Sequence, residues 1–154
     1  MRTAIVTIAR GRARHLERQA LAVAAMTRPP DDYVVVSLDP QPPDVPRARV
    51  LHLPVADGEP LPLAAARNAG IAASDADLVA CLDVDCLPEP QLLEAYVRAE
   101  DRHAGRLLAG PVGRLAPFDG DAPTPRQLAA SRAAAREGPR PVPRDGTTRH
   151  ESRY

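Results

Sequence analysis

The sequence has no lysine and no tryptophan, and only one of its 154 residues is phenylalanine. All 20 basic residues are therefore arginine, and they are balanced by 20 acidic residues to a formal net charge of zero. Because there is no excess of positive charge, the composition gives no general electrostatic reason to bind nucleic acid. Because aromatic residues are scarce, we expect a core built from Leu, Val, Ile and Ala.

Long apolar runs and clustered cysteines are also missing. No run approaches the roughly 20 apolar residues that span a bilayer, and the N-terminus shows no signal-peptide pattern. The two cysteines, Cys81 and Cys86, are separated by four residues and have no histidine cluster beside them. This spacing argues against a zinc site. We therefore expect two free thiols in the reducing cytoplasm.

The arginines are unevenly distributed along the chain. Residues 1–125 contain 13 Arg and 17 acidic residues (−4), whereas residues 126–154 contain 7 Arg and 3 acidic residues (+4). Residues 138–154 are polar and rich in proline, which predicts a disordered tail. A solvated tail is the first interpretation, and contact with phosphate or anionic lipid is the alternative.

Apolar patterning predicts an alternation of strands and helices. The predicted strands are Thr3–Ile8, Tyr33–Leu38, Arg47–Leu53, Ala76–Asp83 and Arg106–Val112. The predicted helices are Arg12–Thr27, with an apolar face of Leu16, Ala20, Val23 and Ala24, then Leu61–Ala73, a helix from Pro88-Pro90 to about Arg102, and one from Thr124-Pro125 to about Arg136. This alternation is typical of an α/β protein with a mainly parallel sheet. The predicted divisions are an α/β domain over 1–115, a helix within 116–137 and the tail.

Gly70 lies inside the second predicted helix. Glycine there costs about 1 kcal/mol of stability relative to alanine. A close approach of this helix to the sheet would explain why a residue without a side chain is used.

Polar residues follow the predicted strands at their carboxyl ends. Arg10 follows the first strand, Asp39 the second, and Asp83 and Asp85 end the fourth. Ligands of doubly wound sheets bind outside these ends, where the strand order reverses. Two carboxylates spaced two residues apart repel each other, and a divalent cation relieves that repulsion. The motif therefore predicts a Mg²⁺ or Mn²⁺ site, with a solvated turn as the alternative.

Two consecutive segments carry a family resemblance. The first is the small-residue helix Leu63–Ala73, which contains Arg67-Asn68-Ala69-Gly70. The second, Asp77–Pro88, is an apolar strand followed by Asp83-Val84-Asp85 and a proline. Together they resemble family-2 glycosyltransferases over about residues 3–115. The resemblance implies the GT-A (nucleotide-diphospho-sugar transferase) fold, a Rossmann-like, mainly parallel sheet flanked by helices, here truncated relative to the family.

The resemblance implies metal-assisted sugar transfer from a nucleoside diphosphate donor. UDP is the family's commonest donor nucleotide, GDP and dTDP remain open, and analogy favours inversion at the anomeric carbon. By position, Asp83 would face the ribose and Asp85 would bind Mn²⁺ or Mg²⁺. The other donor-binding residues implied by position are Thr7 and Arg10 beside the nucleotide, Asp39 on the base, and Arg67 near the base or diphosphate.

The acceptor half of the family has no clear counterpart in this sequence. Its catalytic base is not recognisable, and Asp119 and Asp121 are the nearest candidates. The acceptor could be a glycan, a lipid, a protein or a small molecule, and peripheral membrane association stays open. The alternative functions are a non-catalytic nucleotide-sugar-binding fragment, or a degraded remnant. A nucleotidyltransferase is disfavoured, because the loop after the first strand has only one glycine.

Overall fold

The computed structural model of the protein describes residues 1–137. These residues form the elements β1 (Thr3–Ala9), α1 (Ala13–Ala24), β2 (Asp32–Ser37), β3 (Arg49–His52), α2 (Leu63–Ala72), β4 (Leu78–Asp83), α3 (Leu92–Arg102) and α4 (Pro125–Glu137). None of these helices is both long and apolar enough to cross a bilayer. The predicted tail, 138–154, lies outside the described residues.

The four strands form one parallel sheet in the order β3-β2-β1-β4. At the carboxyl end of the sheet, Ala9 of β1 pairs with Ser37 of β2. On the other side of β1, Ile8 pairs with Asp83, the last residue of β4. The strand order reverses at β1, so the carboxyl ends of β1 and β4 flank the topological switch point. The predicted α/β class with a mainly parallel sheet is confirmed.

The core lies between the two central strands and α2. Five consecutive residues of β2, Tyr33–Ser37, are buried, as expected for a parallel strand covered on both faces. Ala66 of α2 belongs to the same buried cluster as Val6, Val34 and Leu38. Burying each Val or Leu side chain contributes about 1.5–3 kcal/mol, so this cluster stabilises the part of the sheet that supports the switch point.

Gly70 allows α2 to lie directly against the sheet. A Cβ atom at this position would stand 2.5 Å from Val6 Cγ1 and 3.0 Å from Val36 Cγ2. No ordinary side chain fits that space without moving a strand residue or the helix. The predicted close approach of this helix to the sheet is confirmed.

The chain divides into two compact units, Met1–Glu94 and the part from Ala95 onward. The predicted domain boundary at residue 115 stays a prediction. The predicted strand Arg106–Val112 is wrong, because the segment is irregular apart from a single bridge residue at Ala109. Leu107 and Val112 are 97% and 77% exposed, so they gain no burial, and Pro111 cannot donate to a strand ladder.

α4 begins with a reciprocal cap. Thr124 Oγ1 accepts a hydrogen bond from Gln127 N at 3.3 Å, and Gln127 Oε1 accepts one from Thr124 N at 2.9 Å. Two backbone donors that the helix leaves unpaired are thereby satisfied. The predicted Thr124 cap, with Pro125 as the first helical residue, is confirmed.

Replacing Thr124 by alanine should destabilise the start of α4 by about 1 kcal/mol. The reason is that Gln127 N loses its acceptor while the rest of the helix is unchanged. Amide hydrogen exchange at Gln127 should accelerate about fivefold. Thr124→Ser keeps the hydroxyl and is the control, and equal exchange rates in the two variants would contradict the capping role.

Candidate functional site

The Asp83-Val84-Asp85 motif occupies a tight turn at the end of β4. Cys86 N donates a hydrogen bond to Asp83 O at 2.9 Å, which closes a four-residue turn. Both carboxylate-bearing side chains are exposed, whereas Val84 is half-buried. Since Asp83 pairs with Ile8, the turn lies beside the carboxyl end of β1, at the switch point.

A buried glutamine connects this turn to the core. Gln19 of α1 is fully buried, and its Nε2 donates to Asp83 O and to Cys86 O, both at 2.8 Å. Its Oε1 accepts hydrogen bonds from Thr7 Oγ1 at 2.8 Å and from the Tyr33 hydroxyl at 3.0 Å. The side chain therefore links the turn after β4 to both β1 and β2.

Gln19 was not among the predicted site residues. The predicted apolar face of α1 included Ala24, but Ala24 is exposed, and the buried residues are Leu16, Gln19 and Val23. A glutamine three residues after Leu16 and four before Val23 lies on the apolar stripe of a helix. That placement is the sequence signal that could have identified it.

Thr7, predicted to lie beside the nucleotide, is fully buried in β1. Its hydroxyl donates to Gln19 Oε1 and presents no exposed surface. In this structure Thr7 is connected to the turn through Gln19.

Asp39 lies at the carboxyl end of β2 and braces the loop that follows β1. Its Oδ1 accepts a hydrogen bond from Gly11 N at 2.6 Å, and Gly11 has a φ of 63°. That left-handed conformation favours glycine. The Asp39 carboxylate binds the amide of this residue and so stabilises the conformation of the loop. The half-exposed Asp39 side chain and this loop thus lie at the carboxyl end of the sheet, beside the end of β1.

Arg10 joins three loops at this edge. Its Nη1 donates to Val55 O at 2.9 Å and to Leu38 O at 3.4 Å, and its Nη2 donates to Asp57 Oδ1 at 2.8 Å. Asp57 is 94% exposed, and an ion pair so open to solvent contributes little stability. The backbone acceptors therefore do most to fix the guanidinium.

Arg67 lies on the exposed surface of α2, within electrostatic range of β4. Burial raises the pKa of the Cys81 thiol, while the positive charge of Arg67 lowers it and the negative charge of Asp83 raises it. Since Arg67 and Asp83 both act on the thiol of Cys81, the two charges lie around the same part of β4. Arg67 therefore lies within electrostatic range of Cys81, in the strand that carries the motif.

The residues of the turn suit a hard cation held with a ligand's oxygens. Within residues 1–137, no group of three or more His, Cys, Asp or Glu side chains could hold a metal ion by itself. Burial, Asp85 and Asp83 raise the pKa of the Cys86 thiol, and its sulfur is a soft ligand that suits Zn²⁺ or Cu⁺ better than a hard cation. Two exposed carboxylates fit Mg²⁺ or Mn²⁺, which complete their coordination with phosphate oxygens and water.

Asp119 and Asp121, the candidates for a catalytic base, belong to the second compact unit. Both are exposed and lie in the irregular segment before α4. Their assignment as a base stays a prediction.

Comparison with known proteins identifies the family. The model of Glycosyl transferase family 2 matches residues 31–127, which include the motif and more than half of the chain. A crystal structure of S. aureus TarS 1–349 is similar in fold, with a TM-score of 0.57 and 17% identity. The similarity covers 77% of this chain but 39% of that chain, and no curated protein sequence matches. From its family match and its parallel sheet, this chain belongs to glycosyl transferase family 2 and has the GT-A fold.

Proposed function

We propose that this chain binds a nucleoside diphosphate sugar at the carboxyl ends of β1 and β4 and transfers the sugar to an acceptor. One observation carries the proposal. Asp83 and Asp85 are exposed on a turn at the switch point of a parallel sheet, in a member of a glycosyl transferase family. This is where sheets of this kind bind nucleotides.

The carboxylates of Asp83 and Asp85 would hold Mn²⁺ or Mg²⁺ together with the donor's diphosphate. The bound ion would neutralise the negative charge that develops on the departing diphosphate. The chain's own part is to orient the two carboxylates and to add the positive charge of Arg67 nearby. An exposed guanidinium in that position suits bidentate contact with phosphate oxygens.

The nucleotide would lie across the loops after β1 and β2. Asp39 uses Oδ1 for Gly11, and a carboxylate has further lone pairs with which to accept hydrogen bonds from a base. Arg10 is held mainly by the carbonyls of Val55 and Leu38 and helps to shape this end of the sheet. Thr7 would contribute indirectly, by holding Gln19.

We further propose an inverting reaction, in which a base removes the proton of the acceptor hydroxyl as it attacks the anomeric carbon. Asp119 and Asp121 are the candidates for that base within this chain. UDP is the first nucleotide to test, and the acceptor classes are a glycan, a lipid and a small molecule. The free thiols of Cys81 and Cys86 support a reducing compartment such as the cytoplasm.

Thermal unfolding with and without Mn²⁺, in the presence of UDP, GDP, dTDP or CMP, tests donor binding. A ligand at ten times its dissociation constant stabilises by about 1.4 kcal/mol, and each kcal/mol raises Tm by about 2–4 °C for this chain length. We expect a Mn²⁺-dependent rise with one nucleoside diphosphate. Asp85→Ala should lose that rise, and Asp75→Ala, which removes an exposed acid before β4, should keep it.

The absence of a shift with every nucleotide, in a protein that melts cooperatively, would contradict donor binding. A donor-binding module without transfer activity is the second candidate, because Asp119 and Asp121 are the nearest candidates for a base and neither lies in a recognisable base motif. A radiolabelled-sugar assay separates the two. Donor binding with neither hydrolysis nor transfer to any acceptor class favours the module.

A further inference from the structure

The hydrogen bonds of Gln19 permit only one orientation of its amide. Two partners, Thr7 Oγ1 and the Tyr33 hydroxyl, can donate, whereas Asp83 O and Cys86 O are carbonyls that can only accept. Turning the amide over would place its oxygen against two carbonyl oxygens. The NH₂ group therefore faces the turn, and all four hydrogen-bonding positions of the side chain are used.

The two carbonyls that Gln19 binds are those of the first and last residues of the motif turn. Asp83 O accepts from both Gln19 Nε2 and Cys86 N, so the bond that closes the turn and the bond that anchors it share one atom. The carbonyl of Cys86 is bound by the second hydrogen of the same NH₂ group. Gln19 thus holds both ends of the turn from the protein interior, while the side chains of Asp83 and Asp85 are exposed.

We propose that Gln19 is a positioning residue for the donor and its metal ion. It holds the Asp83–Cys86 turn in the position and orientation in which the two carboxylates can bind them. The inference rests on the proposed function, because it concerns the same carboxylates. Gln19 itself is fully buried and does not touch the ligand. It acts by connecting the turn to Thr7 and Tyr33, which are buried in the central strands β1 and β2.

A loosened turn would weaken ligand binding more than it weakens the fold. Partners that orient metal ligands from behind typically change metal affinity by about 10- to 100-fold when they are removed. If the role of Gln19 were purely structural, ligand affinity would fall in proportion to the free energy of unfolding. The fall would be the same whether the lost hydrogen bonds were those to the turn or those to Thr7 and Tyr33.

Three variants separate these cases. Gln19→Met keeps the length of the side chain but removes every hydrogen bond. Gln19→Glu keeps the oxygen that accepts from Thr7 and Tyr33 and replaces the NH₂ group that faces the turn with a second oxygen. Tyr33→Phe is the matched control, since it removes one bond to Gln19 Oε1 and leaves both bonds to the turn.

The probe is Mn²⁺ with UDP, or with whichever nucleoside diphosphate stabilises the wild type, titrated well below the Tm of every variant. We expect Gln19→Met and Gln19→Glu to raise the dissociation constant by about 10- to 100-fold. Tyr33→Phe should stay within about twofold, even though its Tm falls with the lost hydrogen bond. Wild-type affinity in folded Gln19→Met, or an equal loss in Tyr33→Phe, would overturn the proposal.

Amide hydrogen exchange at Cys86 gives a second readout that needs neither ligand nor a folded variant. In the wild type, we expect this amide to exchange as slowly as the amides of β1, although it lies in a turn with exposed side chains. Rapid exchange there would refute the anchoring of the turn. If the amide is protected but no nucleotide binds to the wild type, the anchored turn stands and the donor-binding function fails, so the two failures are distinguishable.

Discussion

Replacing Gly70 by leucine is expected to lower the free energy of unfolding by about 3 kcal/mol. The first side-chain atom alone would stand 2.5 Å from Val6 Cγ1, so α2 must withdraw from the sheet or Val6 must leave its rotamer. Since whole domains are stable by only about 5–15 kcal/mol, the loss is a large fraction of the total. Urea denaturation of the purified variant measures it directly.

Ala72→Leu on the same helix is the matched control, because Ala72 is exposed and its replacement should change stability by no more than about 0.5 kcal/mol. Shortening the opposing side chain should also help, so Val6→Ala combined with Gly70→Ala should be more stable than the two separate losses predict. If Gly70→Leu were as stable as Ala72→Leu, the close approach of α2 to β1 would be wrong.

Stability is also expected to fall steeply above pH 10. Burial raises the pKa of Tyr33 above its ordinary value of 10.0, so the folded protein keeps a proton that the unfolded chain releases. The stabilisation is therefore complete below pH 10 and is lost as the pH rises beyond it. The expected slope is about 1.4 kcal/mol per pH unit.

This chain is well suited to that measurement, because it has no lysine to titrate in the same range. Cys81 and Cys86 have raised pKa values as well, and they act in the same direction from about pH 9. Denaturation should therefore be followed from pH 9 to 11.5 in a Cys81→Ser/Cys86→Ser background. Tyr33→Phe should flatten the slope, and an unchanged slope in that variant would show that Tyr33 is not the responsible group.

The parallel sheet and the alternation of strands and helices along the chain could be predicted from local features of the sequence. The run Val34-Val35-Val36 has the continuous apolar character that only a strand covered on both faces needs, and it is the buried centre of β2. Gly70 was informative because glycine inside a helix is unfavourable unless something requires it. In both cases the residue and its sequence neighbours are enough to predict the structure formed.

The parts that could not be predicted depend on distant partners. The apolar stripe of α1 indicates that Gln19 is buried, but its amide binds carbonyls 64 and 67 positions further along the chain, and no local pattern identifies those partners. Arg106–Val112 has the composition of a strand, but a strand also needs a neighbour with which to pair.

The sequence was sufficient to predict that the candidate site lies at the carboxyl ends of the strands. Residues that follow parallel strands collect at one end, and the structure does place Arg10, Asp39 and Asp83 there. The same pattern did not predict the burial of Thr7, because a position near the end of a strand does not determine whether the side chain is exposed. In β1 both faces are covered, so Thr7 is buried although it lies near the edge.

The strand order also determines when the site can form during synthesis. β1 pairs with β2 about 28 positions along the chain but with β4 about 75 positions along it. Until Leu78–Asp83 has been synthesised, one side of β1 is unpaired, and unpaired strand edges are prone to wrong pairing. Pairing of β4 with β1 covers that side of β1 and brings Asp83 to Gln19 in the same step, so the Gln19–Asp83 hydrogen bond forms only after β4 has been synthesised.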